Sequence, residues 1–128
     1  MNNFLLLLIG TSLVTIAPHA NAAESMRSAK YQDDSQTQIL QRFELPGTVY
    51  KHGGLGLTTF PPNAKKSIHM HSGPEVAYVQ KGEISVKFVG QAAKVYKTGD
   101  SYQIPPNVLH STVAGPQGAA VLATWVMK

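Results

Sequence analysis

Apolar positions between residues 39 and 128 fall in short runs that are broken by glycine or proline every 6 to 10 residues. Within the runs, apolar and polar residues tend to alternate, which is the periodicity of a strand with one buried face. The interruptions come too often for an amphipathic helix of ordinary length. The pattern therefore predicts an all-β domain of about eight to ten short strands, arranged as a sandwich or a barrel.

Alternation also predicts on which side of each strand a side chain lies. Ile84, Val86 and Phe88 are expected to share one face. Near residue 128 a second set is expected to share a face: Val121, Ala123, Trp125 and Met127. We expect Phe88 and Trp125 to pack in the core, because buried aromatic side chains mostly serve packing.

The first 22 residues differ from the rest of the chain. Residues 4–17 are largely apolar and are followed by the small-x-small pattern Ala20-Asn21-Ala22, which is typical of a secretory signal peptide cleaved after Ala22 or Ala23. The alternative is an uncleaved membrane anchor, which requires about 20 apolar residues. This segment is shorter and is interrupted at residues 10–12. We therefore expect residues 1–22 to be removed, leaving an exported periplasmic or secreted protein without a stable membrane anchor.

Residues 23–38 are mostly polar and show no apolar periodicity. We interpret them as an N-terminal polar arm, disordered or loosely packed, ahead of a β-barrel domain over residues 39–128. A chain of 128 residues has room for one such domain.

The amino-acid composition limits the kinds of reactive site that the chain can form. The chain has no cysteine, which excludes a disulfide framework, a thiolate metal site and a thiol nucleophile. Any metal must therefore be held by histidine or a carboxylate. The formal net charge is +4, but the basic residues are scattered and Lys65-Lys66 is the only adjacent pair. We interpret them as a solvated surface and expect no nucleic-acid partner.

Histidines supply the candidate reactive centre. His69 and His71 are two residues apart in a predicted strand, so both imidazoles point to the same side. Glu75 follows after a Ser-Gly-Pro turn, and His110 lies in a predicted strand further along. Three imidazoles and one carboxylate form a plausible ligand set for one divalent transition metal (Fe, Mn, Ni, Zn, Cu or Co), with positions left open for water or substrate.

Two stretches of the chain resemble the two sequence motifs of the cupin superfamily. The first is His69-x-His71-x3-Glu75-x6-Gly82, and the second is Gly99-x5-Pro105-x-Asn107-x2-His110. The resemblance implies a small jelly-roll β-barrel, and it implies that the metal ligands are His69, His71, Glu75 and His110. It also implies that a homodimer is to be expected.

Three positions depart from the family pattern. Asn63 and Asn107 stand where the motifs usually have glycine, and Ala114 stands where the second motif usually ends in asparagine. Asparagine is the non-glycine residue that best tolerates positive φ, so both turns are predicted to survive. None of the three changes removes a ligand.

Two classes of function fit this site. The first is an exported metal-dependent enzyme, most similar to the quercetin-dioxygenase-like cupins, that converts a small oxygenated organic molecule by dioxygenase-type chemistry or by related decarboxylation or isomerisation. Glu75 is then the candidate base, and Tyr102 is the candidate polar contact to the substrate. The alternative is a cupin without catalysis that binds a small molecule or a metal.

Overall fold

The computed structural model of the chain describes residues 33–128. The predicted signal peptide at residues 1–22 and positions 23–32 of the predicted arm lie outside the described residues. In the described part every regular element is a strand, as the glycine and proline pattern predicts. No helix there could cross a membrane.

Seven strands make up the described part of the chain. They are β1 (Gln36–Glu44), β2 (His52–Phe60), β3 (Lys65–His69), β4 (Glu75–Phe88), β5 (Lys94–Lys97), β6 (Ser101–Ile104) and β7 (His110–Met127). Strand β1 begins at Gln36, so the last three positions of the predicted polar arm belong to a strand that pairs with β2.

All the strand pairs are antiparallel, and they fall into two groups that share β4 and β7. The first half of β4 pairs with the second half of β7, flanked by β6 on one side and by β2 and then β1 on the other. The second half of β4 pairs with the first half of β7, flanked by β5 and β3. The two groups are the two sheets of a jelly-roll barrel, which confirms the fold predicted from the sequence.

The prediction of eight to ten short strands was wrong in one respect, because two pairs of predicted runs are joined. The runs on either side of Gly82 form the single 14-residue strand β4, and those on either side of Gly115-Pro116 form the 18-residue strand β7. Glycine and proline here mark bulges rather than strand ends. The pairing moves from Gly82 opposite Ala119 to Ile84 opposite Ala114, so residues 115–118 are left out of the ladder with β4.

This bulge forms a corner in the β4–β7 ribbon. Gly82 and Gly118 both have positive φ, 72° and 77°, a conformation that glycine adopts without steric cost. Beyond the corner the ribbon passes from one sheet to the other. Glu75 and His110, which lie at opposite ends of the ribbon, are thereby brought close to the same histidine, His71.

The core lies between the two sheets and follows the predicted alternation. Ala77, Val79, Ile84 and Val86 are at most 2% exposed, and Phe88 packs against this cluster. Tyr102 and Ile104 are also buried and lie on one face of β6. Trp125 shares its face with Val121 and Ala123 as predicted, but it is half-buried and lines a cavity instead of joining the core.

Asn63 and Asn107 adopt positive φ, 58° and 60°, as their places in the two motifs predict. The turn at Asn107 has a direct link to the candidate site, because the Asn107 backbone N–H donates a hydrogen bond of 2.7 Å to the His71 carbonyl. Asparagine therefore serves the turn where the motif usually has glycine.

Candidate metal centre

The three predicted histidine ligands come together inside the barrel. His69 ends β3 and lies directly opposite His110, the first residue of β7, so their side chains share a face. His71 follows β3 by two residues. The ring centroids are 4.3 Å apart for His69 and His110, 4.8 Å for His71 and His110, and 5.1 Å for His69 and His71.

Each of these histidines offers one nitrogen to a common point, and the three nitrogens lie within 4.8 Å of one another. Three histidine nitrogens are a ligand set that binds transition metals in proteins. Among the described residues this is the one group of three or more histidine or carboxylate side chains with such spacing. The structure therefore brings together the three histidines that the sequence singles out.

Backbone carbonyls fix the orientation of two of the rings. His69 Nδ1 donates a hydrogen bond of 2.7 Å to the Ser67 carbonyl, and His110 Nδ1 donates one of 2.9 Å to the Val108 carbonyl. Since a carbonyl only accepts, both rings carry their proton on Nδ1 and leave Nε2 with a free lone pair. This second contact is the one that orients metal-binding histidines in proteins.

His71 is different, because its Nδ1 is buried and has no hydrogen-bond partner among the described residues. A buried polar atom without a partner is costly, and it is what remains when a site is built to receive a further group. The nearest acidic atom is Glu75 Oε2, 3.8 Å away. The three histidines therefore fit a metal ion in two ways: imidazole nitrogens are good metal ligands, and Nδ1 of His71 lacks a partner that a bound group would supply.

The surroundings of His71 and His110 keep these two imidazoles neutral, as metal binding requires. Burial lowers the pKa of His71 to about 4, with further lowering by His110, His69 and Lys66. Burial also lowers the pKa of His110, although the hydrogen bond to the Val108 carbonyl acts in the opposite direction. At neutral pH both rings are therefore free of a competing proton.

Glu75 lies at the same site but outside the three-histidine group. It is the first residue of β4, opposite Ile104 of β6 and Trp125 of β7, and its side chain lines the cavity. Burial raises its pKa, and Lys66 partly offsets the rise. The predicted role of Glu75 as a fourth ligand remains a prediction.

Tyr102 also lines the cavity and is 8% exposed. Its ring packs against Tyr96 with centroids 4.9 Å apart. Burial, with the nearby charge of Glu75, raises the pKa of its hydroxyl, so the phenol stays protonated at any physiological pH. A protonated hydroxyl can donate a hydrogen bond to a substrate oxygen.

The cavity between the sheets has a volume of about 180 Å³. Its wall combines polar and apolar side chains, and the polar ones come from both sheets. The apolar lining residues are Ile39, Phe60, Ile104, Val121, Ala123, Trp125 and Met127. Glycines of β2 make room for Trp125, because a Cβ at Gly54 would lie 2.7 Å from the indole ring.

Lys66 and Thr37 are cavity residues to which the sequence analysis assigned no role. Lys66 was interpreted as part of a solvated surface, yet it is half-buried and lines the cavity. Thr37, which falls in the predicted arm, lines the cavity as well. No sequence pattern indicates either position, because both depend on how β1 and β3 pair with their neighbours.

Comparison with known proteins agrees with this geometry. The profile of the family described as "Cupin domain" matches residues 56–127. This range holds all three histidines and Glu75. No curated protein matches the chain.

Solved structures with the same fold cover most of the chain. A cupin-like protein from Thermotoga maritima is 26% identical with a TM-score of 0.59, covering 73% of this chain and 68% of its own. An RmlC-like cupin from Shewanella frigidimarina is 29% identical with a TM-score of 0.54, covering 73% and 86%. KdgF from Halomonas sp. has a TM-score of 0.59 at 20% identity, covering 73% and 79%, which shows a shared fold.

Proposed function

The chain belongs to the cupin family, and we propose that it is an exported metal-dependent enzyme acting on a small oxygenated organic molecule. The observation that carries the proposal is the convergence of His69, His71 and His110, whose ligand nitrogens lie within 4.8 Å of one another, beside a cavity of about 180 Å³. A site of this kind has a place for a metal and a place for a small ligand next to it.

The three histidines would hold the metal, with Glu75 as the fourth ligand. One divalent ion, with Fe, Mn and Ni as the leading candidates, would polarise a bound oxygen of the substrate and, in the case of iron, support oxygen chemistry. We propose dioxygenase-type chemistry or a related decarboxylation or isomerisation.

Glu75 and Tyr102 would act on the substrate from the opposite sheet. Glu75 would leave the metal to accept a proton from the substrate and would then return that proton. The Tyr102 hydroxyl, protonated throughout, would donate a hydrogen bond to a substrate oxygen. The apolar wall around Trp125 and Val121 would exclude bulk water and strengthen these polar contacts.

The test begins with metal analysis of protein purified from its native compartment. We expect one divalent transition metal per chain, together with turnover of at least one member of a panel of β-diketones, flavonols, sugar acids and 2-oxo acids, with oxygen consumption recorded alongside. Metal-loaded protein that turns over none of the panel would contradict the enzyme proposal. Saturable binding with the ligand recovered unchanged would instead support a cupin that only binds.

Export is tested separately by the mass of the mature protein. We propose that residues 1–22 direct export and are then removed, so the protein from the periplasm or the medium should begin at Ala23 or Glu24. A mature protein that begins at Met1 would contradict this proposal.

A further inference from the structure

Lys66 faces the metal centre because of an irregularity in β3. Lys66 lies opposite Thr112, and His69 lies opposite His110, so three steps along β3 match two steps along β7. In a regular strand residues 66 and 69 would point to opposite faces. The bulge between them turns both side chains into the cavity, where each is a lining residue.

The charge of Lys66 acts on the candidate metal centre. It lowers the pKa of His71, of His110 and of Glu75, so its ammonium group lies within electrostatic range of each. Among residues 33–128 no carboxylate forms an ion pair with Lys66, and the nearby Glu75 carboxylate lies 3.8 Å from His71 instead. Its charge is therefore available to a ligand.

Thr112 supplies a second, independent observation. It is 5% exposed, it lines the cavity, and its Oγ1 has no hydrogen-bond partner among the described residues. A buried hydroxyl without a partner costs stability unless something else satisfies it. Because Thr112 lies directly opposite Lys66, the hydroxyl and the ammonium group border the same part of the cavity.

The charges around the site favour an anion. A divalent metal on three neutral imidazoles, together with the Glu75 carboxylate and Lys66, leaves two uncompensated positive charges in a cavity whose wall is partly apolar. Charge that is partly removed from water is stabilised by an opposite charge at close range. A neutral substrate would leave this imbalance in place, whereas a dianion would remove it.

We propose that Lys66 and Thr112 form an anion subsite beside the metal centre, and that the substrate is a small organic acid. Two oxygens of this acid would chelate the metal, and a further carboxylate oxygen would contact Lys66 and Thr112. The inference deepens the proposed function and rests on it, because the two chelating oxygens of the acid require the metal.

Malonate and acetylacetone are matched probes for this subsite. Both form a six-membered chelate through two oxygens, but methyl groups of the acetylacetone enolate replace the outer carboxylate oxygens of malonate. The protein is loaded with Co²⁺ under argon, and the affinity of each probe is measured from the visible spectrum of the cobalt site. Cobalt content after gel filtration shows that neither probe has removed the metal.

We expect Lys66→Met to weaken malonate binding about tenfold or more, as loss of a charge-assisted hydrogen bond does. Acetylacetone binding should change by less than about twofold, because its charge lies on the two chelating oxygens and it presents only a methyl group to residue 66. Methionine is slightly shorter than lysine but keeps an unbranched apolar side chain there. Thr112→Val should weaken malonate binding several-fold and spare acetylacetone. Lys66→Arg should restore the preference for malonate.

Lys65→Met is the matched control, because it removes the same charge from the neighbouring exposed residue and should leave both affinities unchanged. Equal loss of both probes in Lys66→Met, or no loss of malonate binding, would overturn the subsite. So would wild-type protein that holds cobalt but binds neither probe. Wild-type protein that holds no cobalt would instead contradict the metal centre itself.

Discussion

The corner of the β4–β7 ribbon and the metal centre are built by the same two strands in opposite ways. Around the corner, the inward-facing Val79 and Ile84 are completely buried, and two glycines with positive φ, Gly82 and Gly118, allow the bend. At the ends of the ribbon, the buried His110 and the half-buried Glu75 border a cavity. The inside of the corner is therefore packed with apolar side chains, whereas the ends of the ribbon enclose a cavity.

The difference teaches where substitutions should act. At the corner the backbone itself is constrained, so a change should affect folding and, through folding, the site. At the metal centre the constraint lies in side chains that converge on a cavity, so a change should affect ligand binding and leave the fold intact. The four predictions below test this separation.

The largest effect is expected from Gly82→Ala. Gly82 has φ of 72°, and a Cβ there would collide with the Gly118 carbonyl oxygen. Strained backbone and overpacking each cost about 1–3 kcal/mol, so we expect a loss of about 3 kcal/mol or more in the free energy of unfolding. Urea unfolding of metal-free protein measures it.

Gly90→Ala is the control for this change. Gly90 also has positive φ, 81°, but a Cβ there would meet nothing within 4 Å. It should cost only the backbone strain, about 1 kcal/mol. Equal losses in the two variants would contradict the view that the corner is sterically closed.

The next effect is expected from His110→Ala at the metal centre. Removal of one of three imidazole ligands should lower metal affinity by more than the roughly 10- to 100-fold that changes to outer partners cause. The β-rich circular dichroism spectrum should remain. His52→Ala is the control, because His52 opens β2 and is not among the cavity residues. Full metal retention in His110→Ala would rule out the assignment of this ligand.

A pH effect should follow from the neutral histidines in metal-free protein. An unfolded chain protonates His71 near pH 6.5, whereas burial holds the pKa in the folded protein at about 4. Stability is therefore fully present above pH 6.5 and falls as the pH decreases towards 4. The pKa of His110 is shifted in the same direction. The raised pKa of Glu75 acts in the opposite direction, since protonation then favours the folded state.

Comparison with a His71 variant isolates the contribution of this residue to the pH dependence of stability. Melting temperatures of wild type and His71→Gln are compared from pH 8 to pH 4 without metal. The wild type should lose more stability on acidification than the variant, because the variant has no proton to gain at this position. Parallel curves would show that His71 is not held neutral by burial.

Sequence reasoning reached the parts of the site that depend on local periodicity. His69 and His71 share a side because strand residues alternate with a period of two, and the same alternation predicts the shared face of Ile84, Val86 and Phe88. It did not reach features that depend on pairing between distant strands. A glycine or proline at the end of a strand cannot be told in sequence from one that forms a bulge within it, so the lengths of β4 and β7 were not predictable. The inward orientation of Lys66 depends on the bulge in β3 and was not predictable either.

The smallest effect is expected at the turn that supports His71. Asn107 has φ of 60°, and its backbone N–H donates a hydrogen bond to the His71 carbonyl. Asn107→Ala should cost about 1 kcal/mol in the free energy of unfolding, because alanine adopts this conformation at a penalty. Asn107→Gly should stay within about 0.5 kcal/mol of wild type, since glycine pays no steric penalty but has more conformational entropy to lose. Metal affinity should fall slightly in the alanine variant alone, because a strained turn would shift His71. Equal metal affinities in both variants would show that the turn supports the fold but does not position this ligand.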